Sequence, residues 1–144
     1  MMEKKPGRVM AIDYGLKRVG IAVTDPLQII ATPLKTIDAP VLWLFLKDYL
    51  QQEKVVTFVI GMPKHLNGKP SKMGRIVAHI GTQLKKNFPG QGLYYQDERF
   101  TSKLAAEGLY QAGYAKKDRA DKSNIDKVSA TLILQSFLNR QAVV

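Results

Sequence analysis

The sequence predicts an α/β protein on a mixed five-stranded sheet, an antiparallel three-strand meander plus two parallel strands, with helices on both faces. Three observations predict it. Val9–Ile12 and Val55–Ile60 are continuously apolar, as strands covered on both faces are. Residues 18–25 (RVGIAVTD) alternate Val19, Ile21 and Val23 with the small Gly20, Ala22 and Thr24, the period of a strand with two different faces. Helix-period and strand-period segments then follow in the order β-β-β-α-β-α-β-α-α, an alternation that builds parallel βαβ units.

Each element has a local reason. Arg8–Tyr14 (RVMAIDY) is the first strand, and the turn signal Asp13-Tyr-Gly-Leu-Lys leads as a hairpin into Arg18–Asp25. Ile29–Ile37 is the third strand, and Pro33 suits an edge because it cannot donate to a ladder. The apolar spacing of Val41–Gln52 is helical, with Asp38 as N-cap candidate. Val55–Ile60 is a central strand stopped by Gly61-Met-Pro, followed by a Lys64–Pro70 loop with Asn67-Gly68. Ser71 can cap a helix over about 72–87, where Ile76, Ile80 and Leu84 recur four apart. Gly92–Gln96 is a short strand running into Asp97-Glu98-Arg99. Thr101 can cap a helix through about Gln111, ended by Gly113. A polar stretch, Tyr114–Asn124, precedes the last helix, Ile125–Arg140.

Composition narrows the function. The 144 residues suit one domain spanning 1–144. A hydrophobic share of 45% excludes a disordered chain. The absence of Cys excludes a disulfide scaffold and thiolate metal sites, and two His leave no His-rich cage. No apolar run approaches the ~20 residues that span a bilayer, and no signal peptide is recognisable. A cytoplasmic protein with no membrane partner is the expectation. The formal net charge of +10 favours polyanionic partners. No acid occurs from Lys54 to Gln96, a stretch carrying Lys54, Lys64, Lys69, Lys72, Arg75, Lys85, Lys86 and both His. A solvated helix face explains such a run as well as a nucleic-acid surface does.

Ligand sites in open α/β sheets lie beyond the carboxyl ends of the parallel strands, and acids can be placed there. Asp13 follows four apolar strand residues, where an acid is costly to bury unless paired or metal-bound; it could equally start the turn closed by Gly15. Asp97 and Glu98 end the last strand, and alternation sends them to opposite faces, so one of the two can share a site with Asp13. Asp126 sits near the start of the last helix on the face of Ser129, Ala130 and Ile133; behind Ser123 or Asn124 as cap, the helix dipole alone could account for it. Converging carboxylates repel one another, and Mg²⁺ or Mn²⁺ removes that conflict with oxygen ligands only.

Four segments carry a family resemblance. Asp13-Tyr-Gly-Leu-Lys-Arg-Val-Gly-Ile-Ala resembles D-x-G-x-[KR]-x-x-G-x-A, and Gly61-Met-Pro-Lys-His-Leu-Asn-Gly resembles G-x-P-x-x-x-x-G. Asp97-Glu-Arg-Phe-Thr-Ser resembles D-E-R-x-[ST]-[ST]. Ile125-Asp-Lys-Val-Ser-Ala-Thr-Leu-Ile-Leu-Gln-Ser-Phe-Leu resembles I-D-x-x-A-A-x-x-I-L-x-x-x-L. These are the motifs of the YqgF family, also called RuvX, matched in order from about Arg8 to Leu138. Ser129 and Ser102 depart from the commoner Ala and Thr, and neither is a proposed ligand.

The resemblance implies an RNase H-like fold related to the resolvase RuvC, and a metal-dependent nuclease that cleaves Holliday junctions or matures the 5′ end of pre-16S rRNA. It carries over Asp13, Glu98 and Asp126 as catalytic metal ligands, for two Mg²⁺ or Mn²⁺ ions. Phosphate contacts are expected from Lys17 and Arg18, from Lys64, Lys69, Lys72 and Arg75, from Arg99, and from Lys116, Lys117, Arg119 and Lys122 in the late loop. The N-terminus of the 72–87 helix adds its pull on anions. Tyr14 could stack on a base or pack. A monomer or weak homodimer is expected; junction cutting favours the two-fold pair. One rival is a nucleic-acid-binding module without catalysis, in which the acids only cap and turn. A second, a sugar-kinase or actin-like ATPase, closes two domains on its nucleotide, and this chain has the length of one.

Overall fold

A computed structural model of the chain describes residues 6–63, 69, 71–97 and 122–142, with side chains in the last helix from 125 to 140. The strands are β1 (Arg8–Tyr14), β2 (Arg18–Thr24), β3 (Ala31–Asp38), β4 (Val55–Met62) and β5 (Gly92–Asp97). The helices are α1 (Leu42–Gln52, entered by a 3₁₀ turn over Ala39–Val41), α2 (Lys72–Asn87) and α3 (Lys122–Ala142). The helix expected over Thr101–Gln111 and most of the polar stretch after it lie outside the described residues.

The sheet order is β3-β2-β1-β4-β5. β1 pairs antiparallel with β2, and β2 with β3, while β4 joins β1 and β5 in parallel. This is the expected meander plus two parallel strands, with Pro33 on the edge strand. The two faces are built from different residues. Met10, Ile12, Val19, Ile21, Val23, Phe58 and Ile60 form one core with Leu42 and Leu46 of α1 and Val77, Ile80 and Leu84 of α2. The other face offers Val9, Ala11, Ala22 and Val59 to Ala130, Ile133, Leu134, Phe137 and Leu138 of α3. The larger side chains, Met10, Ile12, Phe58 and Ile60 among them, thus face two helices, and Ala11 and Ala22 with two valines lie under a single closely seated helix.

Gly20 sets how close that helix comes. A Cβ built there would touch the Asp126 carbonyl oxygen and lie 2.6 Å from its carbonyl carbon. Both contacts are backbone, which cannot swing aside, so only glycine fits.

Several boundaries differ from expectation, each for a local reason. The third strand starts at Ala31, because the Asp25 carboxylate ends β2 as an acceptor for the backbone N–H groups of Leu27 (3.0 Å), Ile29 (2.8 Å) and Ile30 (2.7 Å). Ile29 and Ile30 stay exposed outside the ladder. Asp38 precedes the 3₁₀ turn and makes no side-chain cap bond; Pro40 already lacks one of the N–H groups a cap would satisfy. β4 runs on through Gly61 and Met62, paired with Gln96 and Asp97, and stops at Pro63. Ser71 does cap α2, its hydroxyl accepting from the Gly74 N–H at 2.9 Å. The packed face of α2 is Gly74, Val77, Ile80, Gly81 and Leu84, so Ile76 is only half-buried. Finally, α3 begins at Lys122, which places Ser123 and Asn124 inside the helix rather than before it. Among the described residues no helix is long and apolar enough to cross a membrane.

Two outcomes follow. Gly20→Ala is expected to cost about 3 kcal/mol in urea denaturation, the upper range for overpacking, whereas Gly90→Ala, with open space around its Cβ, should stay within about 0.5 kcal/mol. The backbone N–H groups on Asp25, Ile30 foremost, hold its carboxyl below the usual 3.8. A depressed folded pKa stabilises above the unfolded value and is lost as pH falls through the lower one. Amide exchange at Ile30 should therefore stay protected down to pH 3.8 and rise only in more acidic solution.

Candidate functional site

Strand alternation decides which acids share a side. Asp13 is two residues beyond Ala11, whose side chain lies under α3, so Asp13 projects to the α3 face at the carboxyl end of β1. It is half-buried. Its cross-strand partner is Gly20, the residue on which the Asp126 backbone rests. The Asp126 Cβ would lie 3.3 Å from a Cβ at Gly20. Cross-strand Cβ atoms are about 4.5–5.5 Å apart, so the Cβ atoms of Asp13 and Asp126 are within about 9 Å at most. Two carboxylates more than a hundred positions apart in sequence therefore meet over one glycine.

Asp126 is the fifth residue of α3, past the first turn. The dipole explanation loses force with that placement, since the effect falls off within a turn. The stripe Ser129, Ala130 and Ile133 is buried against the sheet as its spacing suggested, and Asp126 continues that stripe to the rim. Its Oδ2 accepts from Arg18 Nε at 3.0 Å, with side chains 25% and 34% exposed. Arg18 is on the same face of β2 as Gly20 and Ala22. The first-turn arginine expected at phosphate is thus engaged with a candidate ligand. Lys17 is exposed beside it, and its backbone carbonyl accepts from the Ala39 N–H at 2.9 Å.

The row continues across the sheet. Ile12 is level with Ile60, so one step further Asp13 is level with Gly61, which pairs with Gln96. Gly61 is buried and has no side chain, so none stands between Asp13 and Gln96 in that row. Gln96 Oε1 is buried and has no hydrogen-bond partner among the described residues. Sequence reasoning passed over Gln96; its place two residues after Tyr94, which packs on Phe137 of α3 (ring centroids 5.2 Å apart), is the signal that puts it on this side.

Of the two acids ending β5, Asp97 has the parity of Leu93 and Tyr95. Leu93 packs on the α1–α2 core, and the Tyr95 hydroxyl abuts Gly81 of α2. Asp97 is therefore turned away from the side of Asp13. Glu98, Arg99, Lys64, Lys116, Lys117 and Arg119 lie outside the described residues, as does the side chain of Lys122, which begins α3 instead of ending a loop. Lys69, Lys72 and Arg75 are exposed near the start of α2, whose Ser71 donates to the Pro63 carbonyl at 2.9 Å. That bond ties the start of α2 to the end of β4, at the same sheet edge as Asp13. Tyr14 is packed against the α1–α2 core.

Among the described residues no three His, Cys, Asp or Glu side chains cluster as a metal site. What this side does hold is an oxygen-only set: two carboxylates and a buried amide oxygen. Hard divalent cations select such donors. The residues present thus fit a Mg²⁺ or Mn²⁺ ion and offer no soft ligand.

Comparison with known proteins agrees with this architecture. The family model RuvX, described as Holliday junction resolvase, matches residues 7–140. A relative from Amoebophilus asiaticus named "Putative pre-16S rRNA nuclease" is 52% identical over 133 residues, covering 92% of this chain and 94% of its own length. A Flavobacterium psychrophilum relative of the same name is 46% identical, covering 93% and 98%. Thermus thermophilus RuvC in complex with Holliday junction substrate superposes with a TM-score of 0.57 at 13% identity, over 94% of this chain and 96% of that one. A second T. thermophilus RuvC structure gives 0.53 over the same shares. At that identity the likeness speaks for the fold, an RNase H-like one of the RuvC type. With a family model spanning nearly its whole length and relatives close to half identical, the chain belongs to the RuvX family of nucleases.

Proposed function

We propose that the chain is a divalent-metal-dependent endonuclease acting on structured nucleic acid, first of all at the 5′ end of pre-16S rRNA. The carrying observation is the meeting of Asp13 and Asp126 over Gly20 at the carboxyl edge of β1. The name borne by the relatives supports the RNA substrate, and the family description supports four-way junctions as the second.

Asp13, Asp126 and Glu98 would hold Mg²⁺ or Mn²⁺. Asp97 is turned to the other side of the sheet, which favours Glu98, the acid carried over by the family motif, as the third. When bound, a pair of such ions activates water and stabilises the leaving oxygen of a phosphodiester. The chain supplies the rest. Gly20 admits the Asp126 backbone, and Gly61 adds no side chain to the row. Arg18 orients the Asp126 carboxylate through one oxygen and leaves the other to a cation, as partners behind metal ligands commonly do. Lys17, Lys64, Lys69, Lys72 and Arg75, with Arg99, Lys116, Lys117, Arg119 and Lys122, would contact phosphates and set the register of the substrate without reading bases. One copy suffices for rRNA trimming, while symmetric junction nicking calls for two.

Asp13→Asn is expected to reduce cleavage to background while the thermal melt and nucleic-acid affinity stay close to the parent. Cleavage by the parent should stop in chelator while binding persists. Binding without any metal-dependent cutting of either a pre-16S transcript or a four-way junction would instead mark a non-catalytic module. The Arg18–Asp126 pair is half-exposed, so a double-mutant cycle with Arg18→Gln and Asp126→Asn should give a coupling of only about 0.5–1 kcal/mol in urea denaturation. The same Arg18→Gln change should weaken Mn²⁺ affinity about 10–100-fold by titration. That contrast separates orienting a ligand from merely stabilising the fold.

A further inference from the structure

The outer face of α2 carries a pattern that runs beyond Lys72 and Arg75, the two cations already placed at the site. At 100° per residue, Lys72, Arg75, His79 and Lys86 fall within an arc of about 60°. That arc lies almost diametrically opposite the packed face of Gly74, Val77, Ile80, Gly81 and Leu84. All four are exposed. None makes an ion pair or side-chain hydrogen bond among the described residues. An ordinary solvated helix face mixes both signs, yet α2 contains no acid, and neither does the chain from Lys54 to Gln96. The stripe runs about 21 Å along the axis. Its first residue follows Ser71, which is bonded to the end of β4, so it starts at the sheet edge that holds Asp13 and Asp126.

From this we infer that the outer face of α2 is a rail for the phosphate backbone of a double-stranded segment of the substrate, leading it to the carboxyl edge. Charge complementarity selects a polyanion, because Lys72, Arg75 and Lys86 stand in line with nothing among the described residues to neutralise them. The chemistry of the stripe selects a duplex over a single strand. Single strands are held by aromatic platforms that stack on bases, and the exposed face of α2 has no Tyr, Phe or Trp. A duplex keeps its bases inside and presents one charge per ~1.7 Å of axis, which a straight row of cations can follow. The inference rests on the nuclease reading for its partner, yet it is tested apart from catalysis.

The test measures affinity for a short RNA duplex by fluorescence anisotropy across a salt series. Each phosphate neutralised contributes ~0.9 to the slope of log affinity against log salt. Arg75→Gln with Lys86→Gln should therefore lower that slope by about 1.8. Lys35→Gln with Lys54→Gln removes the same charge from exposed positions on β3 and after α1 and should leave it unchanged. The melts of both double variants should match the parent, since all four side chains are exposed. An unchanged slope in the α2 variant, an equal fall in the control, or a loss confined to single-stranded RNA or to anionic phospholipid vesicles would overturn the rail. The Asp13→Asn protein keeps the two readings distinct. Retained duplex binding with lost cleavage supports both. A parent that binds duplex through α2 but never cuts keeps the rail and removes the nuclease.

Discussion

The close seating of α3 on β2 is the contact on which the rest depends. It requires a residue without a side chain at Gly20, because the Asp126 backbone occupies the space a Cβ would fill. It also requires the small neighbours Ala11 and Ala22, so that Ala130, Ile133 and Leu134 can pack at short range. Burial beneath the helix holds it there, and packing this tight tolerates no added methylene without displacing backbone. The consequence is positional: the same contact that completes the core delivers a carboxylate to the rim beside Asp13.

The two faces of the sheet divide the work. The α1–α2 face is filled by larger side chains such as Met10, Ile12, Phe58 and Ile60, and its job is stability. The α3 face is thin and ends in a row of Gly20, Asp13, Gly61 and Gln96 at the carboxyl edge. Two of these four have no side chain and two carry oxygens. Arg18 sits on the same face and balances the charge of Asp126.

Charge is arranged around that edge instead of being spread at random. Asp13 and Asp126 lie on the α3 side, while α2 presents no acid from its first residue to its last. The sheet separates the two groups, and the end of β4 joins them through Ser71 and Pro63. A polyanion approaching the edge meets attraction from α2 and, at the acids, a place that requires cations before a phosphate can come close. The field of the protein thus orients a substrate before any specific contact forms.

Much of this was legible along the chain, because strands and helices announce themselves by period. The runs Val9–Ile12 and Val55–Ile60, the alternation of β2 and the Ser71 cap located four elements, and turn and period signals placed the other four described ones in order. Four short motifs located the family and carried over Asp13, Glu98 and Asp126 as its candidate acids. The misses were local competitions that periodicity does not register: Asp25 capturing three N–H groups before β3, β4 continuing through Gly61, and α3 starting a turn early. What the linear sequence could not decide was distance. Whether Asp126 faces solvent or Asp13, whether Asp97 or its neighbour turns inward, and whether Arg18 meets a phosphate or a carboxylate all depend on strand register and helix seating. Those are set by side chains far apart in the chain that must pack at one density, and the packing exists only once the sheet and α3 have come together.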